Sequence, residues 1–211
     1  MAVKARSIAR RPDMRTRARE AAATAILEAA EEVAATRGLE ATSTSAIAER
    51  AGVAVGTLYN YFPDRDALLA ALFKLRRDAL LPILIAAAEA TAGLPFEERL
   101  RAYMAGVARA FDEFRPFCRV AMAAAESVKP RPRSAVLLAI TETLTEILRP
   151  ILRGRAEEHA RMLFGAFKAQ LHWRLEHDEP FEPGAQLLVD TFLPGIRQQR
   201  GDQRGDQRGE S

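Results

Sequence analysis

The chain has 211 residues, of which 48% are hydrophobic and 28% are charged, a balance too polar for a protein built of membrane-spanning helices. The basic N-terminus lacks the apolar segment of a secretory signal, so we expect a cytoplasmic protein with no membrane partner. A single cysteine and three histidines without ligand spacing exclude a disulfide framework and predict neither a metal site nor a cofactor.

Positive charge is concentrated at the start of the chain. The first 20 residues contain seven basic and two acidic side chains, a surplus of five, whereas the whole chain carries a net charge of +3. The remaining residues are therefore slightly acidic. We expect residues 1–14 to form a flexible basic arm whose arginines can follow a nucleic-acid backbone or enter a minor groove.

Apolar residues recur at every third or fourth position along the rest of the chain, without the alternation typical of strands. This pattern predicts an all-α fold. The first helix is expected over residues 15–36, ending at Gly38. A later helix is expected to start after Asp64, which can cap it, and to kink or end at Pro82. Further periodic segments predict helices through to about residue 196.

Two short helices joined by a tight turn are predicted between these longer ones. The first is capped by Ser43 or Thr44 and broken at Gly52, and the second covers residues 55–61 before Pro63 stops it. Such a pair is typical of the helix-turn-helix, whose second helix enters the major groove of DNA. The sequence therefore predicts an N-terminal three-helix DNA-binding domain.

The second of these helices has one apolar and one polar face. Val53, Leu58 and Phe62 are expected to point inward, so the other side chains face solvent or DNA. Asn60 can pair with both hydrogen-bonding groups of adenine, and the Tyr61 hydroxyl suits a phosphate. The candidate DNA contacts are Thr44, Ser45, Val55, Gly56, Thr57, Tyr59, Asn60, Tyr61 and Arg65.

The stretch TSTSAIAERAGVAVGTLYNYFPDRDALLAALF resembles the DNA-binding domain of the TetR family of bacterial transcriptional regulators. The shared pattern is IA, a short gap, AGV, then GTLY and an aromatic pair before a leucine-rich helix. Ala54, in place of a capping serine, and Val55, in place of a polar base reader, depart from that pattern. The resemblance implies contacts to the sugar-phosphate backbone of DNA by Thr44, Thr57, Tyr59 and Tyr61. It places Ser45, Val55, Gly56 and Asn60 nearer the bases.

The resemblance also implies a larger helical domain that binds a ligand and forms a homodimer. We expect DNA binding by residues 15–63, binding of an unknown small-molecule effector and dimerisation by residues 64–198, and a disordered tail over residues 199–211. The candidate effector contacts are Tyr103, Met104, Phe111, Met122, Phe164, Phe167, Lys168, His172 and Trp173. The expected dimer contacts, which could equally be intramolecular core, are Leu163, Phe167, Leu171, Leu188 and Phe192.

Three classes of function are consistent with this pattern. The first is a repressor that binds a palindromic double-stranded operator as a homodimer and is released by its effector. The second is an architectural DNA-binding protein without an effector. The third, a helical enzyme, would need a nucleophile, an acid–base pair or a metal cluster, and no such group stands out, so no enzyme is predicted. Cys118 could sense oxidation, but its position is typical of an inert core thiol.

Overall fold

The computed structural model describes residues 14–125 and 134–209, and within those ranges its regular structure is entirely helical. This confirms the all-α prediction. The α-helices are α1 (Met14–Arg37), α2 (Thr44–Ala51), α3 (Val55–Tyr61), α4 (Arg65–Thr91), α5 (Phe96–Glu113), α6 (Arg115–Ala125), α7 (Ala135–Leu152), α8 (Ala156–Glu176) and α9 (Glu182–Gly209), with a 3₁₀ turn at Arg153–Arg155. The predicted basic arm lies almost wholly outside the described residues.

The chain divides into two compact units after Leu72. The sequence predicts this boundary between residues 63 and 64, just before α4. The division falls later because the first turns of α4 belong to the N-terminal unit, where Leu68 lines a small apolar crevice together with Ala34 and Ile47. Leu72 itself is fully buried. One continuous helix therefore contributes to both units.

The core of the N-terminal unit forms on one face of α1, which packs along α2. Ile26, Ala30, Val33 and Ala34 are all buried, as their spacing predicted. Ala23, also expected on this face, is only half-buried. The three helices α1 to α3, followed by the start of α4, thus form a small scaffold with α3 at its surface.

The second unit packs α7 against α8 and α5 against α9. The rings of Phe111 and Phe167 meet edge to face with their centroids 6.1 Å apart. Cys118 lies in this core with 6% of its surface exposed, and its thiol donates to the carbonyl of Phe111 across 3.6 Å. That environment favours a packing role for Cys118 over oxidation sensing.

Of the two outcomes predicted at Pro82, a kink or an end, the helix does not take the second. Helix α4 continues past Pro82 to Thr91, because proline removes a single amide donor while Leu80 and Leu84 on either side stay buried. One helix end does differ from the predictions. Helix α9 continues to Gly209, where the sequence predicted a disordered tail from residue 199. Extending an existing helix requires no new nucleus, which favours this continuation.

Arg174 stabilises the connection between α8 and α9. Its guanidinium is largely buried and donates across 2.9 Å to both the Glu179 carboxylate and the Pro180 carbonyl. Gly184, in the first turn of α9, lies against this side chain: a Cβ added there would come within 2.4 Å of Arg174 Nε. Glycine at this position therefore leaves the space that the buried arginine side chain occupies against the start of α9.

We predict that Gly184→Ala lowers the free energy of unfolding by about 1–3 kcal/mol, because the new methyl group must displace Arg174 from its partners. Gly195→Ala, farther along the same helix, is the matched control. A Cβ at Gly195 meets no atom within 4 Å, so this change should stabilise the protein by up to about 1 kcal/mol. Chemical denaturation measures both, and equal effects would contradict the steric argument.

Candidate nucleic-acid interface

Helix α2 is defined at both ends by its own sequence. The Ser43 hydroxyl accepts a hydrogen bond from the Ala46 amide across 3.2 Å, as expected for an N-terminal cap. At the other end Gly52 adopts the left-handed conformation, with φ at 68°, and its amide donates to the carbonyls of Ala48 and Glu49. These two features confirm the predicted limits of the helix and start the turn toward α3.

Helix α3 is oriented by its buried side chains. Leu58 is 1% exposed and Phe62 is 7% exposed, so the inward face is the one predicted, although Val53 is only half-buried. Ala54 precedes the helix and supplies no side-chain cap. Because α3 has only seven residues, this burial determines which side chains reach solvent.

The residues predicted to contact DNA all lie at the surface of the N-terminal unit. Val55 and Tyr59 are 38% and 47% exposed. The exposed members are Ser45, Val55, Gly56, Tyr59, Asn60 and Arg65, and the half-buried members are Thr44, Thr57 and Tyr61. The structure thus gathers nearly the whole candidate set around one exposed helix.

A contact between hydroxyls joins the two helices of the motif at this surface. Thr44 Oγ1, at the start of α2, lies 3.4 Å from Tyr59 Oη on α3. Both groups retain hydrogen-bonding capacity, because each hydroxyl can donate once and accept twice. Together with the positive end of the α2 dipole, they form a surface suited to an anion such as a phosphate.

Arg65 has a structural partner as well as its predicted DNA role. Its guanidinium donates to the carbonyl of Leu39, after α1, and the Asp64 carboxylate caps α4 by accepting from the Ala67 amide across 2.7 Å. This hydrogen bond confirms the predicted capping role of Asp64. Arg65 links the loop after α1 to α4, which the sequence analysis did not foresee.

A groove of about 510 Å³ lies between the first turns of α1 and the exposed face of α3. Its lining residues are Arg15, Ala18, Arg19, Thr57, Asn60 and Tyr61. The Arg19 guanidinium carbon lies 5.7 Å from the centre of the Tyr61 ring. Arg15 and Arg19 entered the sequence analysis only as part of the N-terminal charge. Their spacing of four residues was the signal that they share a helix face.

The nine candidate effector contacts in the second unit divide into two groups. One group belongs to the core: Tyr103, Met104, Phe164 and Phe167 are buried, and Phe111 and Met122 are partly buried against it. The other group is exposed and consists of Lys168, His172 and Trp173. The structure therefore does not bring the nine together, because the last three lie on the opposite face of α8.

The exposed group makes contacts of its own along α8. His172 Nε2 lies 3.3 Å from the Glu176 carboxylate. The Trp173 ring stacks on that of His177 with the centroids 4.1 Å apart. These contacts run between neighbouring turns of one helix.

The Tyr103 hydroxyl is the most notable polar atom of the core. The residue is fully buried, and the hydroxyl has no hydrogen-bond partner among the described residues. Thr143 approaches it from α7 without completing a hydrogen bond. Burial raises the pKa of Tyr103 above 10.0, so at neutral pH the group is a neutral donor.

The described residues contain neither a membrane-spanning helix nor a cluster of metal-binding side chains. Within residues 14–125 and 134–209, no helix combines the length and apolarity needed to span a bilayer. The same ranges contain no group of three or more His, Cys, Asp or Glu side chains that could hold a metal ion.

Comparisons with known proteins find a family match within the N-terminal unit. Residues 26–72 match the model of bacterial regulatory proteins of the tetR family. The HTH-type transcriptional repressor KstR of Mycolicibacterium smegmatis is 54% identical over 44 residues, which are 21% of this chain and 22% of that protein. The chain thus matches only about a fifth of that relative's length.

Solved structures share the fold over most of the chain. A transcriptional regulator from Rhodococcus sp. Rha1 is 23% identical, with a TM-score of 0.69 over 82% of this chain and 96% of that one. FadR from Bacillus subtilis, solved in complex with stearoyl-CoA, is 19% identical, with a TM-score of 0.63 over 79% of this chain and 95% of that one. At these identities the likeness concerns the fold. Residues 26–72 thus resemble the tetR family of bacterial regulatory proteins, and over most of the chain the likeness to the solved structures is one of fold.

Proposed function

We propose that this protein is a transcriptional repressor that binds a palindromic DNA operator as a homodimer and is released by a small molecule bound in its second unit. The observation that carries the proposal is the geometry of α3. Leu58 and Phe62 are buried, and the face opposite them presents small, hydroxyl and amide side chains. A helix of that kind fits the major groove, where base edges can be read.

The exposed face of α3 suits direct base reading at one position in particular. Asn60 carries an amide that can donate to adenine N7 and accept from adenine N6. Val55 and the methyl group of Thr57 can contact a thymine methyl. Gly56 stands between them in the sequence and allows close approach of the DNA because it has no side chain. Ser45, exposed at the start of α2, is the remaining residue proposed to lie near the bases.

The hydroxyls around this face suit phosphates. Thr44 and Tyr59 are adjacent at 3.4 Å, and Thr57 and Tyr61 line the groove beside α1. Phosphate contacts set the register of a protein on DNA without reading its sequence. Since α3 carries no charged base reader, DNA shape should contribute much of the specificity.

We infer a homodimer because one recognition helix covers only one half-site of a palindromic operator, so a second copy must bind the other half-site. The residues first expected at the dimer contact are mostly buried within the same chain. A dimer contact on α8 and α9 must therefore use other, exposed side chains of these helices. Met162 and Trp173 are 55% and 44% exposed, and Gly165 and Ala169 lie between them on the same helical face. Leu187 on α9 is 55% exposed. The exposed apolar side chains on α8 and α9 support pairing with a second copy of the chain.

The effector is proposed to bind among the buried aromatic side chains of the second unit. Its polar group would accept a hydrogen bond from the Tyr103 hydroxyl, which has no partner of its own among the described residues. Its apolar body would lie near Met104, Phe164 and Phe167. The effector can release DNA only to the extent that it binds the released state more tightly. The stearoyl-CoA complex of FadR suggests a long-chain acyl compound as the first probe.

We predict that Asn60→Ala removes the preference at one base position of each half-site, a loss of about 1–3 kcal/mol of discrimination. Tyr61→Phe should instead weaken binding to all duplexes alike, because it removes a hydroxyl suited to phosphate. Selection of duplexes from a random library by each variant, followed by titration, measures both effects. If the wild-type chain prefers no duplex over random DNA at moderate salt, the regulator proposal fails.

We predict that the double change Met162→Glu and Leu187→Glu converts the dimer to a monomer, because it places charges in an apolar contact. Ile85→Glu is the control, since Ile85 is a similarly exposed apolar residue on α4, at 51%. Sedimentation equilibrium gives the mass of each variant. A wild-type chain that is monomeric at the concentrations where it binds its selected duplex would contradict the dimer proposal.

We predict that stearoyl-CoA releases the wild-type protein from its selected duplex, and that Tyr103→Phe requires a several-fold higher concentration because one hydrogen bond, worth about 1 kcal/mol, is lost. Fluorescence anisotropy of labelled DNA follows the release. Without stearoyl-CoA, Tyr103→Phe should bind the duplex as the wild type does. A wild-type complex that stearoyl-CoA leaves intact would refute a long-chain acyl effector and favour the architectural function.

A further inference from the structure

The groove between α1 and α3 has the features of a phosphate-binding site. One wall is formed by Arg15 and Arg19 of α1, and the other includes Thr57, Asn60 and Tyr61 of α3. No carboxylate is among the described residues that line it. Two guanidinium groups therefore face the helix that is proposed to read DNA, across an open groove that a duplex backbone can enter.

The two arginines are available to an anion. Within the described ranges, neither Arg15 nor Arg19 forms an ion pair, whereas Arg50 of the same unit is paired with Glu32 across 2.6 Å. Both arginines are exposed. Because a paired arginine must first give up its carboxylate to bind phosphate, unpaired arginines bind it at lower cost.

Arg19 has a second relation to the site through Tyr61. Its guanidinium carbon lies over the Tyr61 ring, 5.7 Å from the ring centre. A cation over an aromatic face is attracted by the ring, and the contact restricts both long side chains. Arg19 thus lies beside α3 and also lines the groove.

We propose that Arg15 and Arg19 clamp a phosphate of the operator backbone beside α3, with Arg19 also positioning Tyr61. The ligand is a phosphodiester of duplex DNA, because the same groove contains the α3 side chains proposed to contact bases and phosphates. The proposal rests on the DNA-binding function above and adds α1 to the DNA-binding surface. It also distinguishes these two arginines from the general positive charge of the N-terminus.

Arg17 provides a matched control for that distinction. It lies on α1 between the two proposed contacts, carries the same charge and is equally exposed, but it does not line the groove. Two residues along a helix correspond to a rotation of about 200°, so Arg17 is directed away from Arg15 and Arg19. A general electrostatic effect would weaken all three alanine variants alike.

The test measures the dissociation constant over a range of salt concentrations, on the duplex selected by the wild-type chain and on an unrelated duplex of equal length. Arg15→Ala and Arg19→Ala should each weaken binding several-fold on both duplexes and reduce the salt slope by about one, because each removes one phosphate contact. Arg17→Ala should leave the slope unchanged. Arg19→Lys should retain the slope but bind more weakly than the wild type, because the planar group over Tyr61 is lost.

The outcomes separate this proposal from the one on which it rests. If Arg15→Ala and Arg19→Ala show the wild-type slope, or if all three alanine variants change equally, the clamp is refuted while DNA binding stands. If the wild-type chain selects no duplex, the regulator function itself fails. Circular dichroism of each variant verifies that the exposed substitutions leave the helices intact.

Discussion

The burial of Leu58 is the interaction on which the functional surface depends. A seven-residue helix is too short to be stable alone in water, so α3 exists because it buries an apolar face on the rest of its unit. Leu58 and Phe62 fix its rotation, and Gly52 sets the turn that delivers it. Given that rotation, Asn60 and Tyr59 must face solvent. The packing of α3 thus determines which side chains are available for the proposed DNA contacts.

Much of this arrangement could be predicted from the sequence because it is encoded locally. Caps at Ser43 and Asp64 and the left-handed Gly52 act within a few residues of their own positions. Helical periodicity gave α2 and α3 nearly their observed limits and identified the buried face of α1. The sequence motif, residues 42–73, lies almost wholly within the match over residues 26–72.

The features that were missed depend on contacts between distant parts of the chain. Periodicity showed that α8 is amphipathic, but it could not show that Leu163 and Phe167 would be covered by the same chain while Met162 stays exposed. Nor could it place Arg65 against the Leu39 carbonyl or bring Arg19 over Tyr61. The unit boundary within α4 has the same origin, since the sequence of a continuous helix does not mark where its partners change.

We propose above all that α3 enters the major groove of DNA, and a crystal structure of the protein with its selected duplex tests this most directly. The distance to be measured is that from the Asn60 side-chain amide to the nearest base edge. The account predicts α3 in the major groove of each half-site, with this amide within hydrogen-bonding distance of an adenine. A complex in which α3 faces solvent and DNA is held by another surface would contradict it.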